Sequence, residues 1–225
     1  MRDTLMIEIP VLAPQETLLF TLRHGVTELN RDKRVSGQTL DVPLLPEGIR
    51  QAEEARNHFA GTPLDVVISS PLLRAIQTAE IVTGFPREAI EIDPQATERS
   101  FGRMEGLTRA EVESRFPEVR YLQIGHVGYS LNPPDGEPFP ALQDRARRFL
   151  HRVLERRRGR RILISSHQTF LQQLHGVLRG LSHLEALHND ILNLELNLFH
   201  LDAQGQLKSH RSQPLVPQAS QYPSF

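Results

Sequence analysis

Three short polar groups in the sequence carry the residue types of a phosphoryl-transfer site. They are Arg23-His24, Ser69-Ser70 with Arg74 soon after, and Ser165-Ser166-His167. Each follows a short apolar run that is typical of a buried strand. Because the carboxyl ends of parallel strands meet at one edge of an open α/β sheet, where ligands bind, we expect two histidines and two arginines to lie around one point.

The natural ligand of such a cluster is a phosphoryl group. Like charges repel unless an anion neutralises them, and guanidinium groups bind phosphoryl oxygens bidentately. A histidine whose ring nitrogen is unprotonated can attack phosphorus and form a phosphohistidine that water later cleaves. The departing alkoxide then needs an acid. Glu98 follows the third apolar run and is the candidate, with Glu105 and Glu111 as nearby alternatives.

The apolar runs alternate with helical periodicity along the chain. Strands are predicted at 17–22, 66–68, 89–93 and 161–164, and Leu192–Leu198 alternates apolar and polar residues like a half-buried strand. This alternation predicts an α/β fold, a three-layer α/β/α sandwich with a mostly parallel central sheet. If Leu192–Leu198 lies at a sheet edge, it offers a pairing surface, which leaves a homodimer open.

We predict a single domain over residues 1–225, because no repeat and no linker-bounded second unit appears. A segment of about 108–140 interrupts the pattern. It opens with a capping box, Thr108-Arg-Ala-Glu111, and is then expected to be irregular, without a core of its own, because it is rich in Gly and Pro. Such an insertion is a candidate lid over the site. Residues of about 213–225 are predicted to form a flexible tail.

Composition excludes several classes of protein. With 26 basic and 27 acidic residues the net charge is −1, which argues against a general binder of nucleic acid or anionic membranes. The run Arg156–Arg161 is interpreted as a solvated helix end. The chain has no cysteine, which removes thiolate nucleophiles and disulfides. Met1–Gln15 lacks the apolar core of a signal peptide and no run reaches membrane-helix length, so we predict a cytoplasmic protein.

Five ordered motifs carry a resemblance to a known family. They are Leu22-Arg-His-Gly-Val-Thr-Glu-Leu-Asn30, Ser36-Gly37, Ser69-Ser-Pro-Leu-Leu-Arg-Ala-Ile-Gln-Thr-Ala79, Glu98-Arg-Ser-Phe-Gly-Arg-Met-Glu-Gly106 and Ser165-Ser-His167. Together they resemble the histidine phosphatase superfamily, in its phosphoglycerate mutase-like branch, and within it the compact broad-specificity phosphatases.

The resemblance implies a role for each matching residue. It makes His24 the nucleophile and Glu98 the proton donor, and it assigns the phosphoryl pocket to Arg23, Arg74 and His167. It also implies phosphate or substrate contacts for Asn30, Ser36, Gly37 and Gln168, the last standing where the family usually has glycine. Asn30 has a second interpretation as a turn cap. No metal and no cofactor are implied, because the arginines and the second histidine take the place of a metal ion.

The activity implied is hydrolysis of a small phosphorylated metabolite through a phosphohistidine. The spacing between Glu98 and His167 is similar to that of the compact phosphatases. Two alternatives stay open: a cofactor-dependent phosphoglycerate mutase, and a catalytically silent member that binds a phosphorylated ligand or a protein partner. Within the inserted segment, His126 and Tyr129 are candidates for contact with the substrate.

Overall fold

A computed structural model describes residues 9–217 of the chain. The strands are β1 (Thr17–Arg23), β2 (Val66–Ser69), β3 (Glu91–Ile92), β4 (Tyr121–Ile124), β5 (Val127–Ser130), β6 (Arg161–Ser166), β7 (Glu195–Leu201) and β8 (Leu207–Pro214). The α-helices are α1 (Glu28–Arg31), α2 (Pro46–Phe59), α3 (Leu73–Thr83), α4 (Arg109–Arg115), α5 (Phe139–Arg157) and α6 (Gln168–Arg179).

The central sheet has the strand order β3-β2-β6-β1-β7-β8. The first four strands are parallel, whereas β7 is antiparallel to β1 and β8 is antiparallel to β7. Apolar side chains of α5 and α6 pack on one face of the sheet, and those of α2 and α3 pack on the other. The predicted three-layer sandwich with a mostly parallel sheet is therefore confirmed.

The three polar groups meet because β1, β2 and β6 end level with one another. Arg23 pairs with Ser166, and Ser69 pairs with Ser165. The ladder then continues one residue beyond the strands, because the N–H of His24 donates to Ser166 O (3.0 Å) and that of Ser70 donates to Ser165 O (3.0 Å). The backbone at the start of the site is therefore fixed by the strand that precedes His167.

The strand predicted at Leu192–Leu198 needs two corrections. It runs from Glu195 to Leu201, and it lies between β1 and β8, so it is not a sheet edge. It is buried along its whole length rather than half-buried, and its polar Asn197 donates to Glu195 Oε1 (3.0 Å). Strand β8, which covers it, was not predicted, because its polar sequence lacks an apolar alternation.

The inserted segment is more regular than the sequence indicated. The capping box at Thr108 and Glu111 forms and begins α4, and β4 and β5 form an antiparallel hairpin. Val112 and Phe116 pack with Val35 and Met104 in a small apolar cluster. The hairpin forms because Val127 and Tyr129 of β5 bury against the core on the α5–α6 face of the sheet, which the Gly and Pro content of the segment did not reveal.

The start of the predicted tail at residue 213 needs a correction. Gln213 and Pro214 belong to β8, and Leu215 and Val216 are buried against the α2–α3 face. The rest of that prediction, residues 218–225, lies outside the described residues. The run at Arg156 begins in the last turn of α5, where most of its side chains are exposed. Over residues 9–217, no helix combines the length and apolar character needed to cross a membrane.

Candidate active site

His24 is buried directly after β1, with its ring held in one protonation state. Its Nδ1 lies 2.7 Å from Gly25 O. Because a carbonyl oxygen only accepts hydrogen bonds, Nδ1 carries the proton and Nε2 keeps its lone pair. Burial, followed by the charges of Arg74 and Arg23, holds the pKa of His24 well below 6.5, against the opposing effect of the Gly25 bond. The imidazole is therefore neutral at physiological pH and has a free nucleophilic nitrogen.

His167 lies beside His24, with its ring centroid 5.0 Å away. Its Nδ1 accepts a bond from Arg74 Nε (3.3 Å), and its Nε2 lies 2.8 Å from Ser70 Oγ. Burial, and then the charge of Arg74, holds the pKa of His167 well below 6.5. His167 is therefore a neutral ring that joins the end of β6 to the residues after β2.

Arg74 is buried and fixed by backbone carbonyl groups. Its Nη2 donates to Gly37 O (2.8 Å) and its Nη1 donates to Leu40 O (3.1 Å). These bonds hold the guanidinium, which extends from the first turn of α3, against His167. Burial lowers the pKa of Arg74 to about 10, so the group keeps its charge at neutral pH.

Arg23 is the second buried guanidinium of the site. Its Nη1 donates to Ile191 O (2.6 Å), whereas its buried Nε has no hydrogen-bond partner among the described residues. Burial is the main effect that lowers its pKa, opposed by the carboxylates of Asp190 and Glu98. Two buried arginines beside one another, one with an unused donor, form a site in which an anion is favourable.

Glu98 is buried at the amino end of α6. Its Oε1 accepts bonds from the N–H groups of Arg99 (2.7 Å) and Phe170 (3.1 Å), and its Oε2 accepts one from Thr169 (3.2 Å). Burial raises the pKa of Glu98 above 4.5, although these N–H groups oppose the shift. Since Oε1 already accepts two bonds, Oε2 is the oxygen best placed to exchange a proton.

A pocket of about 800 Å³, counting its open mouth, connects these groups. Arg23, His24 and Glu98 line it, and Glu98 is its only carboxylate among the described residues. The alternatives Glu105 and Glu111 lie outside the lining: Glu105 accepts bonds from Thr39 and Phe101, and Glu111 caps α4. Arg74 and His167 are not among the lining residues but contact each other beside His24.

The remaining predicted residues are placed unequally. Ser36 lines the pocket with a buried Oγ that has no partner among residues 9–217. Asn30 lines it too, but its Oδ1 accepts bonds from Thr27, as expected of a turn cap. Gln168 lines the pocket and donates to Asp190 (2.8 Å). Gly37 is not among the lining residues, and its carbonyl oxygen accepts a hydrogen bond from Arg74 instead.

Several residues that shape the site were not predicted. Asn193 Nδ2 donates to His24 O (2.7 Å), and Ile191 O holds Arg23. Neither has a local sequence signal, because each makes a side chain-to-backbone bond between segments that are far apart in sequence. Of the two lid candidates, Tyr129 lines the pocket, with its OH hydrogen-bonded to Leu187 O (3.2 Å), whereas His126 is exposed at the hairpin turn.

A metal site does not account for the cluster of histidines. Within residues 9–217, no three His, Asp or Glu side chains come close enough to hold a metal ion. The cations of the site are arginine side chains, and they surround a neutral imidazole that has a free Nε2. This combination defines a class of protein that binds a phosphoryl group at the carboxyl edge of an α/β sheet.

Comparison with known proteins identifies the family within that class. The family model of the histidine phosphatase superfamily (branch 1) matches residues 19–212, and the chain belongs to this family. The structure is similar to that of the α-ribazole phosphatase from Shigella flexneri, with a TM-score of 0.76 and 27% identity, over 88% of this chain and 96% of that one.

Two curated relatives show the range of the similarity. The chain is 35% identical over 198 residues to a bifunctional protein of Mycobacterium tuberculosis, covering 85% of this chain and 53% of that protein. It is 31% identical over 163 residues to the adenosylcobalamin/α-ribazole phosphatase of Escherichia coli K12, covering 72% and 79%. The chain thus spans about half the length of the first of these relatives.

Proposed function

We propose that the chain is a phosphatase that hydrolyses small phosphomonoesters through a phosphohistidine on His24. The observation that carries the proposal is the neutral imidazole with its free Nε2 beside Arg23 and Arg74. Family membership and the phosphatase-named relatives support it. A cytoplasmic location and independence from metal ions remain predictions.

In the first step, His24 Nε2 attacks phosphorus while the bond from phosphorus to the leaving oxygen breaks. Protonated Glu98 gives its proton to that oxygen, so the alcohol leaves neutral. Arg23 and Arg74 bind the phosphoryl oxygens and stabilise the charge of the transition state. His167 joins them when a phosphoryl oxygen replaces its Nε2 bond with Ser70 Oγ. Both arginines retain unused N–H donors for this purpose, since only part of each guanidinium is bonded to the protein.

In the second step, a water attacks the phosphohistidine. The Glu98 carboxylate takes a proton from that water, the bond between phosphorus and Nε2 breaks, and its electron pair returns to His24. Inorganic phosphate leaves, and both residues recover their starting protonation states. Ser36, Asn30 and Gln168 line the same pocket and are proposed to contact the substrate. Gly37 is proposed to act through Arg74.

A turnover screen tests this function. Phosphate release is measured over a panel of phosphomonoesters, sugar phosphates and nucleotides, with a chelator present. Wild type is compared with His24→Ala and with His126→Ala, which removes an exposed histidine outside the pocket. We expect chelator-resistant release in wild type and His126→Ala, and none in His24→Ala.

Three results would contradict the proposal. Full activity in His24→Ala would exclude this nucleophile, and strong inhibition by the chelator would contradict the metal-free mechanism. Ligand binding without any turnover would favour the catalytically silent alternative. The mutase alternative is tested alongside: 2,3-bisphosphoglycerate would then support interconversion of 2- and 3-phosphoglycerate faster than phosphate is released.

A further inference from the structure

The pocket extends well beyond the groups that bind the phosphoryl. Its lining includes apolar and aromatic side chains, among them Leu29, Val35, Phe101, Met104, Tyr121 and Val127. The loop after α1, the segment after Glu98 and the hairpin of β4 and β5 all contribute to these walls. A leaving group seated here is therefore in contact with an apolar surface over much of its length.

The mouth of the pocket carries a positive charge that the protein leaves uncompensated. Arg34 and Lys33 both line the pocket, and the exposed Lys33 lies where the pocket opens to solvent. Arg34 is neutralised by Glu111 (2.9 Å) and also donates to Gly106 O. The neighbouring carboxylate of Asp32 is held by Arg31 (2.7 Å). Exposed Lys33 has no ion pair with any residue of the described part of the chain.

The backbone at Lys33 makes this position unusual. Its φ is +49°, in the left-handed region that glycine and asparagine adopt readily and lysine rarely does. Lys33 follows the end of α1, where a left-handed residue is needed to reverse the chain. The left-handed backbone therefore belongs to the end of α1, and a substitution that tests the Lys33 side chain has to tolerate it.

Deeper in the same pocket, Arg99 offers a further donor. Its guanidinium is buried over the ring of Phe139 (3.7 Å) and donates to the carbonyls of Glu137 and Ser130. Its Nη2 has no hydrogen-bond partner among residues 9–217. The walls of the pocket are thus apolar but carry a cation that is only partly satisfied.

We propose that the preferred substrate is a phosphomonoester whose leaving group has an apolar body and a second anionic group, which Lys33 binds at the pocket mouth. The inference rests on the proposed phosphatase function and names its substrate class. The second anion is a carboxylate or a further phosphate-like group, and Lys33 determines specificity by its charge.

Matched aryl phosphates test the proposal. Phenyl phosphates with a para carbamoyl, carboxylate or phosphonate group have similar shapes, but only the last two carry a second anion. The readout is the kcat/KM of each anionic ester divided by that of the carbamoyl ester. Comparing this ratio between variants cancels the intrinsic reactivity of the leaving groups. The anion whose ratio falls more from wild type to Lys33→Asn is the preferred one.

The variants separate charge from structure. Lys33→Asn removes the charge with a residue that tolerates the left-handed backbone, and Lys33→Arg keeps the charge. Lys208→Asn removes the other lysine of the chain, which lies on β8, outside the pocket lining, and pairs with Glu16. We expect the ratio to fall about three- to fivefold in Lys33→Asn, as for an exposed ion pair, and to persist in the other two variants.

Salt gives a second readout, because 0.5 M NaCl should screen the exposed charge and lower the wild-type ratio. An unchanged ratio in Lys33→Asn, or an equal fall in Lys208→Asn, would overturn the inference while leaving the phosphatase function intact.

Absence of hydrolysis of all three esters would instead overturn the proposed function. In that case the affinities of 4-carboxyphenylphosphonate and 4-carbamoylphenylphosphonate, measured by calorimetry, decide the inference without turnover. Equal affinities for wild type and Lys33→Asn would refute it.

Discussion

Adding one methyl group at Gly37 should disturb both the fold and the site. A Cβ on this residue would lie 2.1 Å from Glu105 Oε1 and 2.2 Å from its Cδ, far inside contact distance. Gly37 is outside the left-handed region, so its backbone suits alanine and the clash is the whole perturbation. Glu105 must therefore move, or the loop that carries Gly37 must move.

The cost follows from the bonds that Glu105 makes. It accepts from Thr39 N (2.7 Å), Thr39 Oγ1 (2.5 Å) and Phe101 N (3.0 Å). The two exposed bonds contribute roughly 0.5 kcal/mol each and the half-buried one about 1 kcal/mol, so expelling Glu105 costs about 2 kcal/mol. For a domain of this size, that lowers Tm by about 4–8 °C.

Activity should fall as well, because Gly37 O holds Arg74 Nη2. A shift of this carbonyl displaces the guanidinium from the phosphoryl oxygens. We expect kcat/KM to fall about tenfold, which corresponds to about 1.4 kcal/mol of transition-state stabilisation. Loss of a positioned charge should affect kcat more than KM.

A double-mutant cycle provides the assay. Unfolding free energy and kcat/KM are measured for Gly37→Ala, Glu105→Ala and the double variant. Glu105→Ala removes the clashing atoms, so Gly37→Ala should cost less than about 0.5 kcal/mol in that background. Additive effects of the two substitutions, or a wild-type Tm in Gly37→Ala, would refute the reasoning.

Three further predictions concern protonation and backbone geometry. Activity needs a neutral His24, whose pKa is lowered, and a protonated Glu98, whose pKa is raised. It should therefore be lost at low pH as His24 becomes protonated and at high pH as Glu98 loses its proton. Glu98→Gln should remove the loss of activity at high pH and lower kcat/KM about 10²–10⁴-fold for alkyl phosphates. The loss should be smaller for 4-nitrophenyl phosphate, whose leaving group needs no acid, and equal losses for the two substrates would contradict the role of Glu98 as general acid. Gly102→Ala should prevent soluble expression or lower Tm strongly, since φ is +54° and its Cβ would lie 2.1 Å from Pro134 O; a Tm near that of wild type would contradict this. The hydrogen bond from Lys208 is the largest of the effects that lower the pKa of Glu16 to about 2, so the stabilisation of the fold by ionised Glu16 is present above pH 4.5 and lost towards pH 2. Between about pH 5 and pH 3, the Tm of Glu16→Gln should therefore fall less than that of wild type.

The centre of the site was predictable because it depends on short-range rules. Buried strands are continuous apolar runs, and polar residues directly after them must lie at one sheet edge. The level ends of β1 and β6 placed His24 and His167 as the sequence predicted. The end of α3 follows an equally local rule, since Gly84 with φ +74° caps the helix.

The surroundings of the site were not predictable, because they depend on contacts between distant segments. Strand β8 forms only because β7 offers it a ladder, and its polar sequence carries no strand pattern of its own. The bond from Asn193 to His24 O joins residues that are far apart in sequence. The hydrogen bonds from the first N–H groups of α6 to the Glu98 carboxylate likewise form only after the helix has packed against this residue.

The most direct test of the central claim is to trap the covalent intermediate. Wild-type protein is mixed with a phosphomonoester labelled in its phosphoryl group, quenched within milliseconds in alkali, and digested for peptide mapping. The mechanism predicts label that is stable in alkali, labile in acid and located on His24, and it predicts no label in His24→Ala. Turnover without a labelled histidine, or label on another residue, would contradict it.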